Sequence, residues 1–121
     1  MSFNQMQLCP QILKALEEQG YEAPSQIQQK AIPEVLSGRD LLGCAQTGSG
    51  KTAAFALPIL QLLYQKYGRN NDHSKIRTLI LTPTRELAIQ IYDNFKTYGR
   101  HLSLRCGVIV GGVSQKRQES V

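Results

Sequence analysis

The chain has 121 residues, 41% of them hydrophobic and 19% charged, with a net charge of +5; this suits one compact domain and is too short for two of ordinary size. No apolar run approaches the roughly 18 residues that span a bilayer, and the opening "MSFNQMQLCP" lacks the basic start and apolar core of a secretory signal, so a soluble, cytoplasmic protein is expected. Cys9, Cys44 and Cys106 lie far apart and only two histidines are present, so a zinc site has little support and reduced thiols are expected.

Leu8, Ile12, Leu13 and Leu16 share one helical face, with Pro10 suited to a first turn and Gly20 to a C-terminal stop, so a helix is predicted from about residue 9 to residue 19. "GYEAPS" is a turn, and Ser25 caps a second helix in which Ile27, Ala31 and Val35 recur at helical spacing. Pro33 interrupts that pattern and predicts a break or kink. After the turn "LSGRD", the short apolar run "LLGCA" reads as a buried strand. A helix is predicted to start near Gly50, with Pro58 either kinking it or opening a second piece that reaches about Tyr67.

"GRNNDHSK" is a polar surface loop, and "IRTLILT" a second buried strand. Leu87, Ile91 and Phe95 then make a helical stripe flanked by Ala88 and Tyr98 and stopped at Gly99. "RCGVIVGG" reads as a third strand, and "VSQKRQESV" as the start of another helix. Three near-continuous apolar strands separated by helices predict an α/β domain, a parallel β-sheet flanked by helices on both faces.

The stretch of residues 45–52, "AQTGSGKT", follows a predicted strand and opens a predicted helix, the context of a phosphate-binding loop. Gly48 and Gly50 permit backbone conformations that turn successive N–H groups onto a phosphate. The helix N-terminus adds free N–H groups and partial positive charge. Lys51 supplies a point charge for the β- and γ-phosphates, and Thr52 a hydroxyl for Mg²⁺. The strict P-loop pattern has glycine where this chain has Ala45.

With its flanks, this variant loop resembles the DEAD-box family of ATP-dependent RNA helicases, as the N-terminal part of a helicase of bacterial type. "GYEAPSQIQ" is similar to the Q motif, "AQTGSGKT" to motif I, "PTRELA" at residues 83–88 to motif Ia, and Gly111 with Gly112 to the family's glycine doublet. Phe3 stands 17 residues before Gly20, where the family keeps an isolated aromatic. The resemblance implies ATP and Mg²⁺ as cofactors, with Phe3, Tyr21, Gln28, Ala45, Gln46, Thr47, Gly48, Ser49, Gly50, Lys51 and Thr52 at the nucleotide site. Lys51 and Thr52 would take the catalytic positions, and Thr52 the metal.

A carboxamide at Gln28 suits adenine, accepting from N6 and donating to N7; Ser25-x-x-Gln28 is equally a capping box. Phe3 is either a base-stacking ring or a core anchor, and Tyr21 suits packing beneath the loop. Pro83, Thr84, Arg85, Gly111 and Gly112 are the implied RNA-backbone contacts, read without regard to sequence. Thr84 also serves as a helix cap, and the glycine pair as a tight turn. Both lie in residues 60–121, which hold ten Lys/Arg against four Asp/Glu, whereas residues 1–59 hold four against five. That asymmetry favours a polyanionic partner for the second half.

Hydrolysis also needs an acidic residue on the metal, a group to orient water, and an arginine at the transition state. The family supplies the first two from its D-E-A-D sequence and the arginine from a second RecA-like domain; the 121 residues contain no D-E-A-D or S-A-T. The expected organisation is therefore an N-terminal helix and Q-motif region at 1–29, then at 30–121 the first part of an incomplete RecA-like P-loop domain, truncated before D-E-A-D. The chain alone is expected to be inactive, its enzymatic function belonging to a longer helicase. The alternative is a non-hydrolysing nucleotide- or nucleic-acid-binding module. A guanine-reading N-K-x-D is absent.

Overall fold

The computed structural model describes residues 2–43, 50–68 and 75–109. Within them a short 3-10 turn, Phe3–Gln5, precedes four helices: α1 (Pro10–Glu18), α2 (Gln26–Leu36), α3 (Lys51–Tyr67) and α4 (Arg85–Tyr98). No described helix is long and apolar enough to cross a membrane.

Local chemistry explains most boundaries. Pro10 occupies the first turn of α1, where its missing N–H costs nothing. Gly20 ends α1 with φ +76°, a left-handed geometry that glycine adopts without steric cost. Its N–H reaches the Glu17 carbonyl, and the Tyr21 N–H reaches the Leu16 carbonyl, each at 3.0 Å. This is a Schellman closure, and it fixes where Tyr21 leaves the helix. Ser25 caps α2 by accepting from the Gln28 N–H, and Thr84 caps α4 by accepting from the Leu87 N–H at 3.2 Å.

Neither proline breaks its helix, so the interruption that the sequence allowed at each is not seen. α2 continues through Pro33 and α3 through Pro58 as single helices. Each proline forfeits one backbone bond, a cost of about 3 kcal/mol in an isolated helix. Packing outweighs that cost: Pro58 and Leu57 are among the most fully buried side chains, as is Ile32 beside Pro33, and α2 packs more extensively on α3 than any other helix pair meets.

α3 forms the centre. Ala53, Ala56, Leu57 and Leu60 share one core with Ile12, Leu16, Ile32, Ile91, Phe95 and Tyr98, joined by Phe3 and Met6. A buried carboxamide strengthens this join, Gln61 Oε1 accepting from the Cys9 N–H at 2.6 Å. Nearby, Gln11 donates to the Tyr64 hydroxyl at 3.1 Å.

The predicted parallel sheet is not seen among the described residues, which contain no strand. Residues 41–43, 76–82 and 105–109 lie in irregular backbone, and Leu42, Leu79, Leu81 and Ile109 are largely exposed. A continuous apolar run specifies an environment covered on both faces, but a ladder needs neighbouring strands to accept its hydrogen bonds. The remainder of the first and third predicted strands, at 44–45 and 110–112, falls outside the described residues, as do most of the 68–75 loop and the helix predicted from 113 onward.

The C-terminal end of α1 is tied to the turn after α4. Glu18 Oε1 accepts from His101 Nε2 at 2.5 Å, with Arg100 Nε at 3.9 Å. The His101 hydrogen bond holds the Glu18 carboxyl below its ordinary value, assisted by the charges of His101, Arg100 and Lys14. A carboxyl depressed in the folded state contributes stability above its unfolded value, and that contribution is lost as pH falls through the folded value. The melting temperature of Glu18→Gln should accordingly fall less than that of the parent when pH is lowered from about 6 to about 3. Thermal melts of the two proteins at both pH values, followed by circular dichroism, check this, and an equal or larger fall for Glu18→Gln would contradict it.

Candidate functional site

The phosphate-loop candidate is described from Gly50 onward; Ala45, Gln46, Thr47, Gly48 and Ser49 lie outside the described residues. Gly50 is the N-cap of α3 at φ +88° and ψ 23°, and among the described residues no side chain is seen to cap the helix there. The first helical bond runs from the Ala54 N–H to the Gly50 carbonyl at 3.1 Å, so the amides of Lys51, Thr52 and Ala53 precede the helix's own ladder. Lys51 is exposed and Thr52 half-buried. Such a helix start, with an adjacent ammonium and hydroxyl, can receive an anion.

Gln28 meets this junction directly. Its Oε1 accepts from the Ser25 N–H at 2.9 Å, its own N–H donates to Ser25 Oγ at 3.4 Å, and its Nε2 donates to the Gly50 carbonyl at 3.2 Å. The capping box is therefore formed, and the same carboxamide ties the start of α2 to the start of α3. Gln28 is 5% exposed. Its oxygen has a second lone pair and its nitrogen a second hydrogen, so capping leaves one acceptor and one donor position for a ligand.

Phe3 and Tyr21 meet elsewhere. The Phe3 ring is 5% exposed and belongs to the core, and Tyr21 stacks on it with centroids 6.5 Å apart and planes 28° apart. The Tyr21 hydroxyl lies 2.9 Å from that of Tyr98, and the two rings meet at 5.9 Å and 59°. Burial, followed by this hydrogen bond, pushes the Tyr98 phenol far above its ordinary value, so it stays neutral. Beside Phe3 and Tyr21 opens a cleft of about 460 Å³, also lined by Ser2, Lys14, Glu17 and Glu22. Its walls come from the N-terminal turn, α1 and the loop after it, whereas Gln28 and Gly50 stand at the α2–α3 junction.

The second candidate centre opens α4. Pro83, Thr84 and Arg85 are exposed. The Thr84 hydroxyl is engaged as the cap, its carbonyl accepts from Thr82 Oγ1 at 3.0 Å, and Glu86 sits in the first turn, complementing the helix dipole. Gly111 and Gly112 lie outside the described residues. Among those residues no cluster of His, Cys, Asp or Glu is arranged to hold a metal ion.

Two partners escaped the sequence reading. Gln61 is a polar residue inside the most apolar helix, and that anomaly was a legible signal. Tyr98 reads only as part of a helical stripe; its hydroxyl partner, 77 positions away, carries no local signal.

Comparison with known proteins identifies the family. Residues 25–121 match the DEAD/DEAH box helicase family, and the chain belongs to it. It is 50% identical over 117 residues to the ATP-dependent rRNA helicase rrp3 of Neosartorya fischeri, covering 97% of this chain and 24% of that protein. The DEAD-box ATP-dependent RNA helicase RhpA of Helicobacter pylori is 49% identical over the same share of this chain and 22% of its own length. Among solved structures, the RNA-helicase Prp28 from Chaetomium thermophilum bound to ADP superposes with a TM-score of 0.86 at 40% identity, covering 98% of this chain and 28% of that one. The chain thus spans about a quarter of the length of these relatives.

Gly50→Ala tests the junction. A methyl group there would meet Gln28 Nε2 and lie 2.9 Å from Ser25 Oγ, at a φ closed to most side chains. The substitution should lower unfolding free energy by about 1–3 kcal/mol; an unchanged urea midpoint would show that the junction is not constrained.

Proposed function

We propose that this chain forms the first part of the N-terminal RecA-like domain of an ATP-dependent RNA helicase, carrying adenine and phosphate recognition and part of the RNA-backbone site. The observation that carries the reading is the Gln28–Gly50 hydrogen bond, which joins the Q-motif segment to the phosphate-loop segment at the glycine that starts α3. Residues 1–29 would be the helix and Q-motif region, and residues 30–121 the beginning of the domain, whose apolar runs at 41–45, 76–82 and 105–112 become strands of a parallel sheet beside further strands.

In this reading Lys51 and the first amides of α3 hold the β- and γ-phosphates, together with the backbone of residues 45–50. Gln28 uses its second acceptor and donor positions on the adenine edge, and Tyr21, the exposed ring of the pair, turns aromatic surface toward the base with the buried Phe3 stacked behind it. The half-buried Thr52 hydroxyl, one residue into α3, is the group suited to Mg²⁺, which when bound neutralises phosphate charge. Pro83, Thr84 and Arg85 at the start of α4, with Gly111 and Gly112, hold RNA through its backbone, the guanidinium and helix-start amides contacting phosphate without reading bases. Binding ATP and RNA on one domain, and coupling hydrolysis to duplex unwinding or remodelling, is the function of the full-length protein.

Three measurements test this. The 121-residue chain should release no phosphate from ATP in the presence of RNA; release that Lys51→Ala abolishes would overturn the assignment of hydrolysis to the longer protein. In the full-length helicase, Gln28→Ala should weaken ATP about tenfold and reduce its advantage over GTP, by the loss of paired contacts to the adenine edge; unchanged affinity would leave Gln28 as a cap alone. Arg85→Ala should weaken RNA of any sequence alike and reduce the salt slope of binding by roughly one phosphate contact, an effect absent if Arg85 does not touch the strand.

A further inference from the structure

We infer that Tyr98, the last residue of α4, is a positioning residue for the adenine side of the nucleotide site, acting through Tyr21 and Phe3. The inference rests on the adenine reading of Phe3 and Tyr21 given above.

Tyr21 is the most exposed of three linked aromatic rings, at 41%, while Phe3 and Tyr98 are buried at 5% and 4%. Its backbone is set by the Schellman closure of α1, through the bond from its N–H to the Leu16 carbonyl at 3.0 Å. A backbone bond leaves the side-chain torsions free. Tyr21 follows a helix end on an exposed loop, with Glu22 and Ala23 also exposed, so ring direction depends on side-chain partners. Two are present: the Phe3 face at 6.5 Å, and the Tyr98 hydroxyl at 2.9 Å. Stacking tolerates sliding of one ring over another. The hydroxyl bond does not, because it holds one atom at the far end of the ring and thereby sets the ring's tilt.

Tyr98 is well placed to act as this fixed post. It lies on the core face of α4 with Ile91 and Phe95, and its phenol remains neutral through burial and its bond to Tyr21, so the pairing does not change with pH near neutrality. A second tie holds the same corner, Glu18 on α1 joined to His101 and Arg100 beyond α4. The wall of the cleft formed by Phe3 and Tyr21 is thus referenced to α4, the helix whose other end begins at Thr84 and Arg85. Ring orientation matters to a flat ligand, since stacking energy depends on parallel overlap, and it is irrelevant to a phosphate chain.

That difference supplies the test. In the full-length protein, Tyr98→Phe removes one oxygen and keeps the buried ring. It should weaken ADP binding about three- to tenfold, the range of one net hydrogen bond, and leave the affinity for Mg²⁺–tripolyphosphate, which has no base, unchanged. Tyr21→Phe should reproduce this, and the double variant should be no weaker than either single one, because both remove the same bond. Calorimetric titration with each ligand reads all of these. Equal weakening of ADP and tripolyphosphate would mean general loosening of the domain and overturn the inference. So would ADP affinity unchanged in Tyr98→Phe and Tyr21→Phe while Phe3→Ala weakens it, with the adenine reading left standing. If Phe3→Ala leaves ADP affinity intact, the adenine reading of Phe3 fails and the positioning role fails with it.

Discussion

Everything described here depends on the burial of α3. Its small and aliphatic residues Ala53, Ala56, Leu57 and Leu60 form the surface on which α2 and α4 pack, with Ile12 and Leu16 of α1 in the same core. Each fully buried aliphatic side chain contributes about 1.5–3 kcal/mol relative to exposure. That gain carries two helices through internal prolines. Because α3 begins at Gly50, the element that organises the core also presents the candidate phosphate site. Core and site share one helix, so the position of Lys51 and Thr52 follows from packing that begins with the next residue, Ala53.

Gln28 shows how a polar group reconciles two demands at this helix start. Buried almost completely, it needs partners for its carboxamide. Ser25 and Gly50 supply them, and each atom has the capacity for one more hydrogen bond. Capping and ligand reading are usually posed as alternatives for such a glutamine. In the proposed reading the first prepares the second: the capping bond fixes the carboxamide plane, and a fixed plane is what recognition of a flat base edge would require.

The N-terminal segment has its own attachments. A buried carboxamide from α3 satisfies the backbone at the start of α1 through Gln61 and Cys9, the tyrosine hydroxyls join its far end to α4, and an exposed ionic cluster follows at Glu18. Interior hydrogen bonds of the first kind cost most when one partner is lost, whereas the exposed cluster contributes little and responds to pH and salt. The segment is therefore held firmly where it meets α3 and at the tyrosine pair, and more adjustably at the exposed ionic cluster beyond α4.

Much of this was legible in the residues. Pro10, Gly20, Ser25, Thr84 and Gly99 mark helix ends because caps and stops are local chemistry, decided within four or five positions. "AQTGSGKT", "GYEAPSQIQ" and "PTRELA" pointed to the DEAD-box family through motif order, which is also a property of the chain alone. Whether α2 and α3 continue through their prolines is undecided by the sequence, since a proline's cost is local while the packing that offsets it comes from other helices. The strand runs mark the opposite limit: "IRTLILT" declares an apolar, β-branched environment, yet a strand exists only when a neighbour completes its hydrogen bonds. The sequence by itself thus determined the helix boundaries, the family and the chemical types at the site. Only the tertiary structure decided that Gln28 would grip Gly50, that Gln61 would turn inward to Cys9, and that Tyr98 would hold Tyr21, because each contact joins residues 22 to 77 positions apart and exists only once the helices have packed.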